Sequence, residues 1–566
     1  MDLHALQALR QLGSQGPAFS EGHRPLDPVR WSQDLERVLN LPLRATPSPE
    51  DLDALRAAVT RPGAELALWD LQAEALLEAL QAGGLFGPIA VGAGKTLIAC
   101  LLPTLLHCER PVVLTTPGLV REAEALMATY QRSFLVRDDV RWVPYSTLSA
   151  QAGTGLLDEL APDLIVADEA HTLDGDSARA RRFARYLKDH PETRCCFLSG
   201  TMAQRSIKDF SKLLAWALGE GSPLPLHWPD LTAWAEALDV PAPDTRPRPA
   251  GELQRLCRHG EPVREAWQRR LRATRGVVAS SAGAACLARL EVVEVEPPCP
   301  VQIRDACRAL YKTWSTPDGQ ELLWAMDISR VARQLRLGGY YREVWPEDVT
   351  EAQVREYKAA RRDWAAVVRD ALKRPRPGLD SPGLIETAVR AGKVKGLGGL
   401  SMQTMLRVWD EVRARIAAPG REWVWLTDEV VVWAAQISRQ SPCVIWTDVV
   451  EVGRAVARTA GIPYYGAGEK AVAGLLAEDG SRSVVCSIPA HGTGRNLQAW
   501  CDALVLGGIP NGKTWEQLLG RHHRPGQNAS VVTYRVAFPA EVERARADAE
   551  FVEQVLGNRQ KLGGVR

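Results

Sequence analysis

Short apolar runs alternate with helical stretches along most of the chain, and this pattern constrains the fold more than any other feature. "PVVLTTP" (111–117), "DLIVADEA" (163–170) and "CCFLSGT" (195–201) are too short for buried helices, and helical stretches separate them. Runs that are apolar throughout, rather than every second residue, suit strands covered on both faces, as in a parallel sheet flanked by helices. A second block of the same kind follows: "SPCVIWTD" (441–448), "GIPYYGAG" (461–468), "RSVVCSI" (482–488), "DALVLGG" (502–508) and "SVVTYRV" (530–536). At 566 residues the chain exceeds what one core can serve, so two α/β lobes are expected.

The stretches outside these blocks are mainly helical in pattern. Residues 1–60 read as a small helical extension with Pro-rich breaks, in which Ser48 and Asp51 form a helix-start signal. Residues 61–300 read as the first lobe, with a helical insertion at about 204–276. Residues 301–435 read as a second helical insertion, 436–540 as the second lobe and 541–566 as a C-terminal helix and tail. "ARLEVVEVEPP" (288–298) alternates apolar and charged residues, as a half-exposed strand does.

A formal net charge of +1 gives no global attraction to nucleic acid, so any such binding must be local. The 11 cysteines are scattered without a C-x-x-C pair, which argues against a zinc ribbon or disulfide framework and fits a reducing interior. The start of the sequence lacks the apolar core of a signal peptide, and no apolar run is long enough to span a bilayer. A cytoplasmic protein without membrane contact is expected.

Chemistry concentrates in a few motifs. "GAGKT" lies between an apolar strand and an apolar helix. Gly92, Ala93 and Gly94 would bring backbone N–H groups close to a phosphate, Lys95 would reach the β/γ-phosphates, and the Thr96 hydroxyl would bind Mg²⁺. The first glycine of the usual pattern falls on Ile89, and a glycine turn before a helix is the bland alternative. In "LIVADEAH", Asp168 is placed to complete the Mg²⁺ site, and Glu169 to orient or deprotonate an attacking water. The same pair could simply cap a helix. "GRHHRPGQ" (520–527) sets two histidines between two arginines, a composition that could bind metal, grip nucleic acid or complete an active site.

In this order, G-x-G-K-T, D-E-A-H and then "SGT", the motifs resemble those of superfamily-two helicases. The resemblance implies that Ser199, Gly200 and Thr201 couple nucleotide state to lobe movement, although a strand-end turn would give the same tripeptide. It also implies that "LWDLQAEAL" recognises adenine through Gln72, with Trp69 in place of the family's arginine. "VVLTTPGLV" and "VPYSTLS" fall where the first lobe of such proteins touches a nucleic-acid backbone. "AHGTGRNLQAW" (490–500) resembles the G-x-G-x-N-L-Q motif of the Swi/Snf-like branch, through Gly492, Gly494, Asn496 and Gln498. "WEQLLGRHHRPGQ" (515–527) resembles that branch's last motif through Gln517, Gly520, Arg521, Arg524, Gly526 and Gln527.

The second insertion is similar to that of phage- or prophage-encoded helicases, which implies a bacterial or phage-infected cell. The fold implied is α/β, with two RecA-like parallel-sheet lobes, a helical insertion between them and a small helical N-terminal extension. ATP and Mg²⁺ would be bound at a cleft by Gln72, Gly92–Thr96, Gly494 and Asn496. Arg524, with Arg521 and Gln517 beside it, would be supplied from the second lobe to compensate charge on the transferring phosphoryl group, making "GRHHRPGQ" half of an active site. His522 and His523 are then spacers, since adjacent histidines cannot face one metal without further ligands.

Basic segments Arg269–Arg275 and Arg361–Arg376 could track phosphates, with Trp364 or Tyr340 stacking on bases, or could be solvated helix faces. The expected function is a monomeric DNA-stimulated ATPase translocating on double-stranded DNA. The competing readings are a strand-separating DNA or RNA helicase, and a non-hydrolysing ATP- or DNA-binding regulatory module. No effector module accompanies the motor motifs, so work for an unidentified protein partner is part of the expectation.

Overall fold

The computed structural model describes residues 26–564 except 151–152, 176, 242–246, 281–285, 373–381, 393, 395–398, 493–495 and 510. Its first sheet contains β1 (Leu85–Gly87), β2 (Pro111–Thr115), β3 (Arg141–Pro144), β4 (Leu164–Asp168) and β5 (Arg194–Leu198). All neighbours are parallel, in the order β1-β5-β4-β2-β3. Four of these strands are buried almost throughout, and two apolar clusters cover the opposite faces of the sheet.

The strand order decides what comes together. Strand β5 lies between β1 and β4, with Leu198 in register with both Gly87 and Asp168. The segments leaving these three strands at their carboxyl ends are therefore neighbours: the glycine loop after β1, Asp168–Glu169 at β4 and Ser199–Thr201 after β5. Ligands of open α/β sheets bind at such an edge.

The N-terminal extension packs onto this lobe rather than standing apart. Its helix Pro49–Val59 carries the expected capping box: the Asp51 N–H donates to Ser48 Oγ at 3.2 Å and the Ser48 N–H to Asp51 Oδ2 at 3.0 Å. Leu55 and Val59 from that helix join one core cluster, and Leu35 and Val38 from the helix Gln33–Asn40 join the other. The insertion at 204–276 is helical as expected, with helices Lys208–Leu218, Trp228–Leu238 and Val263–Arg272.

The next strand, β6 (Arg289–Glu294), corrects a boundary. It belongs to the second sheet, paired in parallel with a strand near the other end of the chain, so the first lobe ends before residue 289 rather than at 300. The second insertion is not purely helical: β7 (Gly339–Val344) and β8 (Gly420–Trp425) form an antiparallel pair. Beyond that ribbon, the helices Glu351–Leu372, Pro382–Arg390 and Gly399–Arg415 enclose a core of their own containing Trp364 and Trp409. The remaining strands are β9 (Cys443–Thr447), β10 (Tyr464–Tyr465), β11 (Val484–Ser487), β12 (Asp502–Val505) and β13 (Val531–Val536). They complete a parallel sheet of order β10-β11-β9-β12-β13-β6.

The C-terminal helix Pro539–Leu556 serves both lobes. Val542, Ala545 and Ala549 lie in a core cluster of the second sheet, whereas Phe551, Val552, Val555 and Leu556 lie in a cluster of the first. Among the described residues, no helix is long and apolar enough to cross a membrane.

Candidate nucleotide site between the two sheets

The loop after β1 turns sharply into the helix Lys95–Leu105, with Gly92 at φ 89° and Gly94 at φ 77°, a left-handed region costly to residues with a Cβ. Lys95 is buried, and its Nζ donates to the Ala90 carbonyl at 3.3 Å. Thr96 follows it, half-buried in the first turn of the helix. Gln72 is held against the loop: its Nε2 donates to the Ala93 carbonyl at 3.3 Å, and its Oε1 accepts from the Trp69 N–H at 3.0 Å. The amide expected to read adenine thus braces the glycine loop, while Trp69 beside it is substantially exposed.

Asp168 closes β4 as a buried carboxylate whose Oδ1 accepts the Glu169 N–H at 3.0 Å. Glu169 itself takes the left-handed conformation, φ 55°, unusual for a residue with a side chain, and this turns it away from the strand direction. Its Oε2 accepts from Ser199 Oγ at 3.3 Å and lies 3.4 Å from His171 Nδ1. His171 also contacts Ser199 Oγ at 2.9 Å and Thr201 Oγ1 at 3.1 Å. Burial alone would raise the Glu169 carboxyl, but the Lys95 charge, the hydrogen bond and charge of His171 and the Arg521 charge together hold it well below the ordinary carboxylate range. His171 was not among the site residues expected from sequence, although it ends the D-E-A-H motif.

The second sheet meets this edge through the helix Gly512–His522. Gln517 Nε2 donates to both carboxylate oxygens of Glu169, at 3.4 and 3.3 Å. Arg521 orients that amide: Nη2 donates to Gln517 Oε1 at 2.9 Å, and Nε to the Gln517 carbonyl at 2.8 Å. Gly520 permits the approach, since a Cβ there would come within 2.5 Å of the Val91 side chain at the start of the glycine loop. Arg524 and Pro525 rest on the loop itself: a Cβ on Gly92 would lie 3.3 Å from Pro525 Cδ and 3.5 Å from Arg524 Cβ. The Arg524 guanidinium donates to the exposed Asn496 Oδ1. Gly494 lies outside the described residues.

Thr96 and Asp168 offer a hydroxyl and a carboxylate, hard oxygen donors of the type Mg²⁺ takes alongside substrate phosphates. They fit an ion that arrives with a nucleotide. Among the described residues, no group of three or more His, Cys, Asp or Glu side chains could hold a metal by itself.

His522 is structural, committed to the core of the second lobe. His522 is fully buried, donates from Nδ1 to the Trp500 carbonyl at 3.1 Å and meets the Trp446 and Tyr534 rings edge-on. Burial first, and then the Arg521 charge, push its pKa down from 6.5 to about 4. His522 is therefore neutral when folded, and the unfolded chain binds the extra proton between these two values. Stability should be unaffected by this group above pH 6.5 and fall by about 3 kcal/mol as pH drops toward 4. Urea-unfolding midpoints across that range should fall less steeply in His522→Gln; equal slopes would remove the assignment.

The side chains expected to meet nucleic acid are mostly committed elsewhere. Trp364 and Tyr340 are buried in core clusters of the second insertion and cannot stack on a base. Arg269 pairs with Glu261 at 2.8 Å, and Arg270 donates to the Val38 and Leu41 carbonyls, tying down the N-terminal extension. Arg361 and Arg362 pair with Glu343 and Glu321. Residues 373–376 lie outside the described residues.

No protein-family model matches the chain, and no curated protein matches it.

Proposed function

We propose that the chain is an ATP-hydrolysing nucleic-acid motor of the superfamily-two type, with two RecA-like lobes that close on ATP and Mg²⁺. We further propose that it translocates on double-stranded DNA in the manner of the Swi/Snf-like branch. The observation that carries this reading is the hydrogen bonding of Gln517, from the second lobe, to Glu169 of the first, beside the phosphate loop.

In this reading Lys95 and the loop N–H groups hold the β/γ-phosphates. Thr96 and Asp168 would hold Mg²⁺, which when bound would supply charge neutralisation to the phosphates. A phosphate drawn onto Lys95 engages the cation that most depresses Glu169, so the carboxylate moves toward the range of a useful base. Glu169, steadied by Gln517 and Ser199, then orients the water whose oxygen bonds the γ-phosphorus as the bridging P–O bond breaks, the electron pair leaving on ADP and the water's proton passing to the carboxylate. Arg524 compensates the charge that spreads over the transferring group.

The test is ATP turnover with blunt duplex DNA, single-stranded DNA and RNA at one salt concentration, because salt alone shifts nucleic-acid affinity steeply. Duplex should stimulate most. Lys95→Ala should lose ATP-dependent thermal stabilisation, and stabilisation equal to wild type would overturn the phosphate-loop role. Stimulation only by a single-stranded tail or by RNA would replace duplex translocation with strand separation or RNA work.

A further inference from the structure

The segment after the C-terminal helix is drawn between the two lobes at the nucleotide site. The helix stops at Gly557, φ 66°, and the next residue, Asn558, is only 1% exposed. Asn558 Nδ2 donates to the Gly200 carbonyl at 3.1 Å, and its Oδ1 accepts from Ser280 Oγ at 2.9 Å. Ser280 Oγ in turn accepts the Ala90 N–H at 3.1 Å. One amide therefore touches the "SGT" segment directly and reaches the phosphate loop through a single hydroxyl.

Three residues on, the chain meets the second lobe. The Lys561 N–H donates to Glu516 Oε2 at 2.7 Å, and Glu516 immediately precedes Gln517. Lys561 Nζ lies 3.2 Å from His523 Nδ1, next to Arg524. His523 Nε2 lies 2.8 Å from the Ala288 carbonyl, so a proton on Nε2 leaves Nδ1 to accept from the ammonium. Lys561 Cε would sit 3.7 Å from a Cβ on Gly520, at the point where the helix crosses Val91.

We propose that Asn558 and Lys561 are positioning residues for ATP hydrolysis, a clasp that seats the helix bearing Gln517 and Arg521, and the Arg524 beyond it, on the phosphate loop. The clasp acts through Gly200 and Ser280 on one side and through Glu516 and His523 on the other, and neither residue is asked to touch the nucleotide. This rests on the reading of the chain as an ATP hydrolase. Catalysis depends on geometry steeply enough that a misplacement of about 1 Å can cost on the order of 10²-fold in rate.

The experiment compares full-length wild type, Lys561→Met and Asn558→Ala, each checked for a cooperative melt. It measures ATP turnover well below the melting temperature, and binding of a fluorescent, slowly hydrolysed ATP analogue. Turnover should fall about 10²-fold in each variant while analogue affinity stays near wild type, because Lys95 and the loop N–H groups are kept and Ser280 Oγ can still accept from the Ala90 N–H. A purely structural contact would lower the melting temperature and leave kcat alone. Wild-type kcat in either folded variant, or a parallel loss of affinity and kcat, would overturn the clasp. Wild-type protein that binds the analogue but turns over no ATP under any nucleic-acid condition would instead remove the hydrolase reading, and the clasp with it.

Discussion

Arg524→Ala should lower ATP turnover by about 10³–10⁵-fold and leave nucleotide affinity nearly unchanged. In the proposed reading the phosphate grip would come from Lys95 and the loop backbone on the first lobe, and Lys95 is held by the Ala90 carbonyl rather than by this guanidinium. Arg524 sits where its backbone covers Gly92, and its side chain is steered by Asn496. On the proposed function, an arginine so placed would act on charge that develops only as the phosphoryl group transfers, and such interactions appear in kcat rather than in ground-state binding. Arg524→Lys should recover little of the rate, because a point charge on a flexible stem does not reproduce the planar fork. Phosphate release and binding of a slowly hydrolysed analogue separate the two effects. A fall in affinity as large as the fall in rate would make Arg524 a ground-state ligand.

Glu169→Gln should bind ATP with near-normal affinity while turnover drops about 10²–10⁴-fold, the usual worth of a positioned acid or base. The amide keeps the size of the carboxylate, and its oxygen can still accept from Ser199 Oγ, so the change removes charge and basicity more than packing. The left-handed backbone at Glu169 is retained by both side chains, which keeps local strain out of the comparison. Hydrolysis within a few-fold of wild type, alongside intact binding, would take the water-orienting role away from this residue.

Sequence legibility followed the range over which each signal acts. The glycine loop, Asp168–Glu169 and Ser199–Thr201 each sit directly after an apolar run, so a local pattern placed all three at one sheet edge. The alternation in β6 was readable for the same reason, but alternation reports a strand's faces and not its partner. Its pairing with β13 joins residues far apart in the chain, which moved it to the second lobe. β7 and β8 went unrecognised because short aromatic-charged stretches among strong helix formers carry two periods at once. Trp364 looked available among its arginines, yet with Val368 and Ala371 it lines the inward stripe of the helix Glu351–Leu372. Asn558 and Lys561 gave no local signal, since isolated polar residues after a glycine cap describe an ordinary exposed tail.

The shared helix Pro539–Leu556 has a consequence for how the protein could be divided. Phe551, Val552, Val555 and Leu556 fill part of the first lobe's interior, although that lobe's own strands end at Leu198. A fragment cut after residue 280 would carry an open apolar trough where these four side chains belong, inviting self-association. The helix thus ties the two interiors together, because separating the lobes would uncover apolar side chains it places in one or the other.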